Sequence, residues 1–256
     1  MMMPSLFIAH GERGIAMEQY AFEVFLRKLA ASLPKPKAIV LFSEQWESPV
    51  QLISSAVQQK TMRYPAAKGD VTLSLHILHL FENEGIPCAL DDEQELDDEA
   101  WVPLYHMYPD ASVPVVALSV NPKLAPEEHY RIGVALAPLR QEQVLIVGSG
   151  GAVHRLLDQP GPVPQAWAQA FDEWLAEQLE VWNMEVLFHY EERAPYAREA
   201  APLPKQMAPL LLALGAAEPA HNARLLHRSH PLGSSCWMFG GPEGQGEDGD
   251  DSDEEL

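Results

Sequence analysis

Two histidines and two glutamines mark the ends of apolar segments in this chain. His10 follows Leu6-Phe7-Ile8-Ala9 and precedes Gly11. His154 follows Val144-Leu145-Ile146-Val147 and the turn Gly148-Ser149-Gly150-Gly151. Gln45 follows Ala38-Ile39-Val40-Leu41-Phe42-Ser43-Glu44, and Gln206 opens an apolar helical stretch after Pro204-Lys205. Imidazole can ligate a metal or carry a proton near neutral pH. Glutamine is neutral, and its amide oxygen is a weak ligand for a divalent transition metal. A lone histidine in a turn is most simply a surface or capping residue. Two of them after buried strands, each beside glycine, point to a site. Glycines 148, 150 and 151 are expected to let the backbone approach a ligand closely.

The elements that must position these residues alternate between short apolar runs and helical periodicity. That alternation predicts an α/β fold: a single domain whose central mixed sheet is flanked by helices on both faces. Strands are expected over 6–9, 38–42, 51–56, 88–90, 113–119, 144–148 and 224–229, the last being the final ordered strand. Helices are expected over 18–33, 71–85, 126–139, 165–183 and 207–214. Pro34 ends the first, Gly85 lies past the second, and Gly215 stops the last. In open α/β sheets, sites gather at the carboxyl ends of strands. His10, Gln45 and His154 all follow strands at that end.

With 256 residues, 47% of them apolar, the chain is long enough to bury one large core. The domain is read as 1–241, and 242–256 as a disordered acidic tail, since only Gly, Gln, Ser and acids lie between Pro242 and Leu256. Seventeen Lys and Arg oppose 37 Asp and Glu, a formal charge of −20. The last fourteen residues hold eight of those acids, so 29 acids against 17 bases leave the body at −12. Such a surface excludes nucleic acid and anionic membranes as partners. No apolar stretch reaches the ~20 residues of a membrane span. Cys88 and Cys236 form no CxxC, and no basic region precedes the first apolar run. A cytoplasmic location with reduced thiols is expected.

Several motifs carry less. His76 and His79 sit three apart on a helix among Leu75, Ile77, Leu78 and Leu80, and packing explains them better than a metal. Gly148-Ser149-Gly150-Gly151 lacks the glycine at 147 that a nucleophile elbow needs, and the one at 153 that a dinucleotide fingerprint needs. The Trp167, Trp174 and Trp182 stripe reads as helix packing. His227 and His230 either line a pocket or lie at the surface.

Set in order, a larger group of segments resembles the class III extradiol ring-cleavage dioxygenases, in particular the small single-chain DOPA-dioxygenase-like branch. The segments are 4–11, 43–47, 63–66, 100–104, 107–109, 147–154, 193–195 and 227–229, running from Pro4-Ser5-Leu6-Phe7-Ile8-Ala9-His10-Gly11 to His227-Arg228-Ser229. The resemblance implies a non-haem Fe(II), or Zn, site for a small aromatic diol whose ring is opened beside the hydroxyls. It implies His10 as a retained metal-ligand position and His154 as the acid/base. It places Gln45 and Gln206 where the family has ligating histidines, and Asp97-Asp98-Glu99 where a further active-site histidine is usual. Gly11, Trp46, Ser149 and Gly150 are then expected to line the substrate pocket. An aromatic, Gly-containing loop before Arg63-Tyr64-Pro65 is missing, since Gln58-Gln59-Lys60-Thr61-Met62 runs directly into it.

These departures predict a metal-site-degenerate, noncatalytic homologue. It would keep its pocket for binding or regulation, alone, as a homo-oligomer, or paired with an active relative. The alternative is an active ring-opening enzyme with a site rebuilt from His10, His154 and Asp98. Glu44 is not counted among its ligands, because consecutive strand residues face opposite ways. A metal-free hydrolase using Ser149 ranks far behind.

Overall fold

The described residues form an eight-stranded mixed sheet with helices on both faces, as the sequence predicts. The computed structural model describes residues 2–9, 20–58, 67–151, 166–229 and 234–242, with only the backbone at 98, 99, 229 and 234. The strands are β1 (Ser5–Ala9), β2 (Ala38–Glu47), β3 (Gln51–Ser54), β4 (Cys88–Asp91), β5 (Val115–Val120), β6 (Val144–Gly150), β7 (Ala223–Ser229) and β8 (Ser234–Phe239). Their order across the sheet is β4-β3-β5-β2-β6-β1-β8-β7.

The four central strands, β5, β2, β6 and β1, are all parallel, so the carboxyl ends of β1, β2 and β6 share one edge. β3 runs antiparallel to β5, and β8 antiparallel to β1 and to β7. The central strands are apolar at successive positions because both of their faces are covered. Ile39, Leu41, Val115, Ala117, Leu145 and Val147 face one core. Val40, Phe42, Val116, Leu118, Val144 and Ile146 face the other.

The first core is closed by α1 (Tyr20–Ser32) through Phe22, Leu26 and Leu29, by α3 (Asp98–Met107) and by α5 (Ala166–Glu180). Here α2 (Val71–Asn83) and α4 (Pro126–Leu136) close the second, through Leu73, Ile77 and Phe81 and through Ile132 and Leu136. Short helices α6 (Met184–Phe188), α7 (Tyr190–Arg193) and α8 (Ala197–Ala200) lead to a 3-10 turn, Pro204–Gln206, and then to α9 (Ala208–Gly215), which is buried on every side.

Four expectations change. Ser229 does not end the last strand of the sheet: β8 follows and inserts between β1 and β7. Helix α3 has its apolar positions interrupted by Pro103, which hides it from a periodicity reading. Trp182 lies beyond α5 with φ 53° and stacks on His221 at 5.3 Å, so it leaves the helical stripe. Gly215 does more than stop α9, whose last helical residue it is: it is also a crossing point. A Cβ there would lie 2.0 Å from the Tyr130 carbonyl oxygen, and one at Gly133 2.1 Å from that of Leu212. Those two glycines let α4 and α9 meet backbone to backbone. Arg140, fully buried, joins distant segments by donating to the carbonyls of Met3 (2.6 Å), Ala216 (3.0 Å) and Gly240 (2.7 Å). The tail 243–256 lies outside the described residues, as does His230.

Candidate active site

The carboxyl ends of β2 and β6 form the described part of the site. Ser43 and Ser149 are register partners on these adjacent parallel strands, and Ile8 of β1 pairs with Ser149 on its other side. Both serines are buried, Ser149 completely. Ser43 Oγ donates to Asp97 Oδ1 at 2.9 Å and accepts from the Gln45 backbone N–H at 3.2 Å. The same Asp97 oxygen caps α3 by accepting from the Ala100 N–H at 2.9 Å. One carboxylate therefore pins the start of α3 to the end of β2. The cap position is legible in the sequence as an acid immediately before a helix; its strand partner is not.

A second contact brings in the turn that carries Gln206. Lys205 Nζ meets Glu47 Oε1 at 2.5 Å, tying the Pro204–Gln206 turn to the last residue of β2. Behind the turn, α9 starts directly against β6. A Cβ on Gly148 would stand 2.0 Å from the Pro209 carbonyl oxygen, so only glycine allows the approach. Gly150 is roomier, with the nearest atoms being Pro209 Cγ at 3.4 Å and Glu44 Oε2 at 3.6 Å. The glycines expected to admit a ligand thus admit the backbone of α9 at Gly148. At Gly150 they leave ordinary contact distance to a buried carboxylate.

The predicted site residues fall unevenly. Gln45 is exposed at the end of β2, whereas its neighbour Glu44 is buried, the alternation a strand requires. Gln206 is buried, and its Oε1 accepts from the Leu203 N–H at 2.9 Å, closing its own turn. Trp46 is buried in the first core. Ser149 lies inside β6 rather than on a sharp turn, which removes the nucleophile-elbow geometry. Asp98 is the first residue of α3, fixed in place by the neighbouring Asp97 cap. His10, Gly11 and His154 lie outside the described residues.

Other histidines make contacts of their own. His76 Nδ1 lies 3.7 Å from Glu142 Oε2, and His79 is exposed. His227 stacks on Phe25 at 4.6 Å, and burial lowers its pKa. Among the described residues no three His, Cys, Asp or Glu side chains gather as a metal-binding group, and no helix is long and apolar enough to cross a membrane.

Residues 7–240 match the family described as the catalytic LigB subunit of aromatic ring-opening dioxygenase. A 4,5-DOPA dioxygenase extradiol of Portulaca grandiflora is 35% identical over 252 residues, covering 90% of this chain and 92% of its own. That of Beta vulgaris is 36% identical over 247 residues, covering 88% and 91%. The Escherichia coli K12 protein of the same description is 31% identical, covering 84% and 85%. In three dimensions, the crystal structure of an uncharacterized Escherichia coli K12 protein superposes with a TM-score of 0.79 at 29% identity, covering 93% of this chain and all of that one. The sheet order, the strand-end site and these matches lead to one conclusion: the chain belongs to the LigB family of aromatic ring-opening dioxygenases.

Proposed function

We propose that this chain binds a small aromatic diol in the family's pocket without iron-dependent ring opening. The family generally uses a metal such as Fe(II), which binds dioxygen and the two hydroxyls at open coordination positions. Gln206 is the observation that carries the reading. Its amide oxygen, the atom that would replace an imidazole nitrogen, already accepts from Leu203 N–H inside a closed turn. Ligation would have to share that oxygen with the turn, and an amide oxygen is a weaker donor than the imidazole the position calls for. Gln45 offers only another neutral amide, on an exposed side chain. The described donors do not fit Fe(II).

The remaining polar groups suit hydrogen bonding. Ser43, Ser149 and the Asp97 carboxylate line up across the strand ends, where they can meet hydroxyl groups. A second reading, an active site rebuilt from His10, His154 and Asp98, draws on one observation: the Ser43–Asp97 bond fixes residue 98 beside the end of β2.

One experiment separates the two. The protein is purified anaerobically with Fe(II), and metal content, catechol binding and catechol cleavage are measured beside Gln45→His/Gln206→His. Catechol binding without stoichiometric iron or cleavage in the unaltered chain is the expected result. Tight one-to-one iron in the unaltered protein, or ring cleavage abolished by Asp98→Asn, overturns it.

A further inference from the structure

The far edge of the sheet, β4, is separated from the strand-end site at β2 by β3 and β5. Between residues 69 and 122 the chain contains no Lys or Arg, but eleven Asp and Glu: 70, 82, 84, 91, 92, 93, 95, 97, 98, 99 and 110. This stretch builds α2, β4, α3 and β5. Its outermost elements are α2 and β4, and β4 ends the sheet. Seven of the eleven acids (70, 82, 84, 91, 92, 93 and 95) flank or lie on those two elements. Glu82 is near enough to Cys88 to add to the burial that raises its thiol pKa.

Among the described residues the edge is open as well as acidic. Gln51 N–H donates to Pro87 O and Ser55 N–H to Asp91 O, so the odd-numbered residues of β4 turn their backbone groups toward β3. Backbone direction alternates along a parallel strand. The N–H and C=O of Cys88 and Leu90 therefore point away from the sheet, where no strand pairs among the described residues. Apolar side chains border this edge. Leu90 shares the face of Cys88, whose Sγ contacts Leu78 O of α2. Leu90 is 38% exposed, and Leu75 and Val71 on the Val71-Leu75-Leu78 stripe of α2 are 51% and 37% exposed. Proteins commonly blunt an open edge with Lys or Pro. Here the edge keeps both outward N–H groups, exposed leucines beside them, and charge of one sign.

We propose that the β4 edge accepts an extended basic segment of a partner protein as an added strand. Its backbone would pair with Cys88 and Leu90, its apolar side chains would lie on Leu75 and Leu90, and its Lys or Arg side chains would meet the acids at 82, 84 and 91–93. Strand addition draws affinity from main-chain bonds and specificity from the alternate side chains. A second copy of this chain would bring like charge to the same edge and be repelled.

The test uses the full chain and a capped synthetic peptide of alternating Lys and Val, with a Glu/Val peptide as control. Binding is followed by amide shifts in NMR spectra. The Lys/Val peptide is expected to shift residues 88–91 and to weaken about tenfold between roughly 50 and 500 mM salt. The Glu/Val peptide is expected to give no shift. Leu90→Pro removes an outward N–H and leaves the β3 ladder intact; it is expected to reduce binding at least tenfold. Leu75→Ser, which leaves the backbone untouched, checks the apolar contact independently and is expected to weaken binding about threefold. The proposal fails if the Lys/Val peptide leaves 88–91 unshifted, if both peptides bind alike, if Leu90→Pro binds normally while folded, or if the edge instead mediates concentration-dependent self-association.

Discussion

Gly148→Ala tests whether the strand-end glycines serve the scaffold or a ligand. The added Cβ would lie 2.0 Å from Pro209 O and 2.7 Å from Pro209 C, both backbone atoms. Relief requires the start of α9 to retreat from β6 by roughly 1 Å or more, because non-bonded heavy atoms settle near 3.5 Å. The nearest atoms, Pro209 Cα at 3.3 Å included, are all backbone, so the change cannot be absorbed by turning a side chain. The cost belongs at the upper end of the overpacking range, about 3 kcal/mol. For a chain of this size that lowers Tm by about 6–12 °C. Gly150→Ala, two residues on, meets only Pro209 Cγ at 3.4 Å and Glu44 Oε2 at 3.6 Å, and is expected to change stability by less than about 1 kcal/mol. Urea and thermal unfolding of both variants give the comparison. Hydrogen exchange at the Leu203 amide reports whether the Gln206 bond is lost as α9 moves. Equal effects of the two substitutions, or a Gly148→Ala protein within ~1 °C of the parent, would refute the close-approach argument.

Three further outcomes follow from buried polar groups. His129 is 1% exposed, neither ring nitrogen has a hydrogen-bond partner among the described residues, and burial lowers its pKa to about 4. The unfolded chain then binds a proton near pH 6.5 that the folded chain refuses until about pH 4, so stability falls as pH drops through that window, by on the order of 3 kcal/mol. His129→Gln should flatten the dependence in urea melts taken from pH 7 to 4. Arg140→Met leaves the carbonyls of Met3, Ala216 and Gly240 buried without their donor, at about 1–3 kcal/mol each. A loss below about 2 kcal/mol in total would contradict its role as a clasp. Asp97→Ala removes the α3 cap and the Ser43 bond together, for about 2 kcal/mol. A double-mutant cycle with Ser43→Ala should return about 1 kcal/mol of coupling, and strict additivity would argue against the shared bond.

Much of the fold was legible because burial on two faces writes itself as unbroken apolar runs. β2 and β6 read directly from Ala38–Phe42 and Val144–Val147. β8 was not legible even though Pro231 and Gly233 precede it and Gly240-Gly241 follow, since Ser234-Ser235-Cys236-Trp237-Met238-Phe239 has no clean alternation, and its place is set by pairing with β1. Helix α3 was hidden by Pro103, and the double role of Asp97 by a contact 54 residues away. The role of Gly148 was hidden for the same reason. A local pattern says that something comes close to Gly148; only the tertiary path of α9 says that the something is Pro209.

Under the proposed reading, these long-range contacts are what would keep the strand ends in place without a metal. The Ser43–Asp97 bond, the Lys205–Glu47 pair and the Gly148–Pro209 approach each fasten an element to the strand ends, and none of them needs a metal. A site held together by its metal would open when histidines are exchanged for glutamines. Here the loads are carried one layer behind the rim. Under the proposed reading, Gln206 has moved from the metal's side of the turn to the turn's own hydrogen bonding. On this argument, Gln206→His alone should destabilise the Pro204–Gln206 turn, by about 1 kcal/mol for the lost cap, before any metal restores it. If Gln206→His were instead as stable as the parent without metal, the amide bond to Leu203 would be incidental, and the case against iron would rest on Gln45 alone.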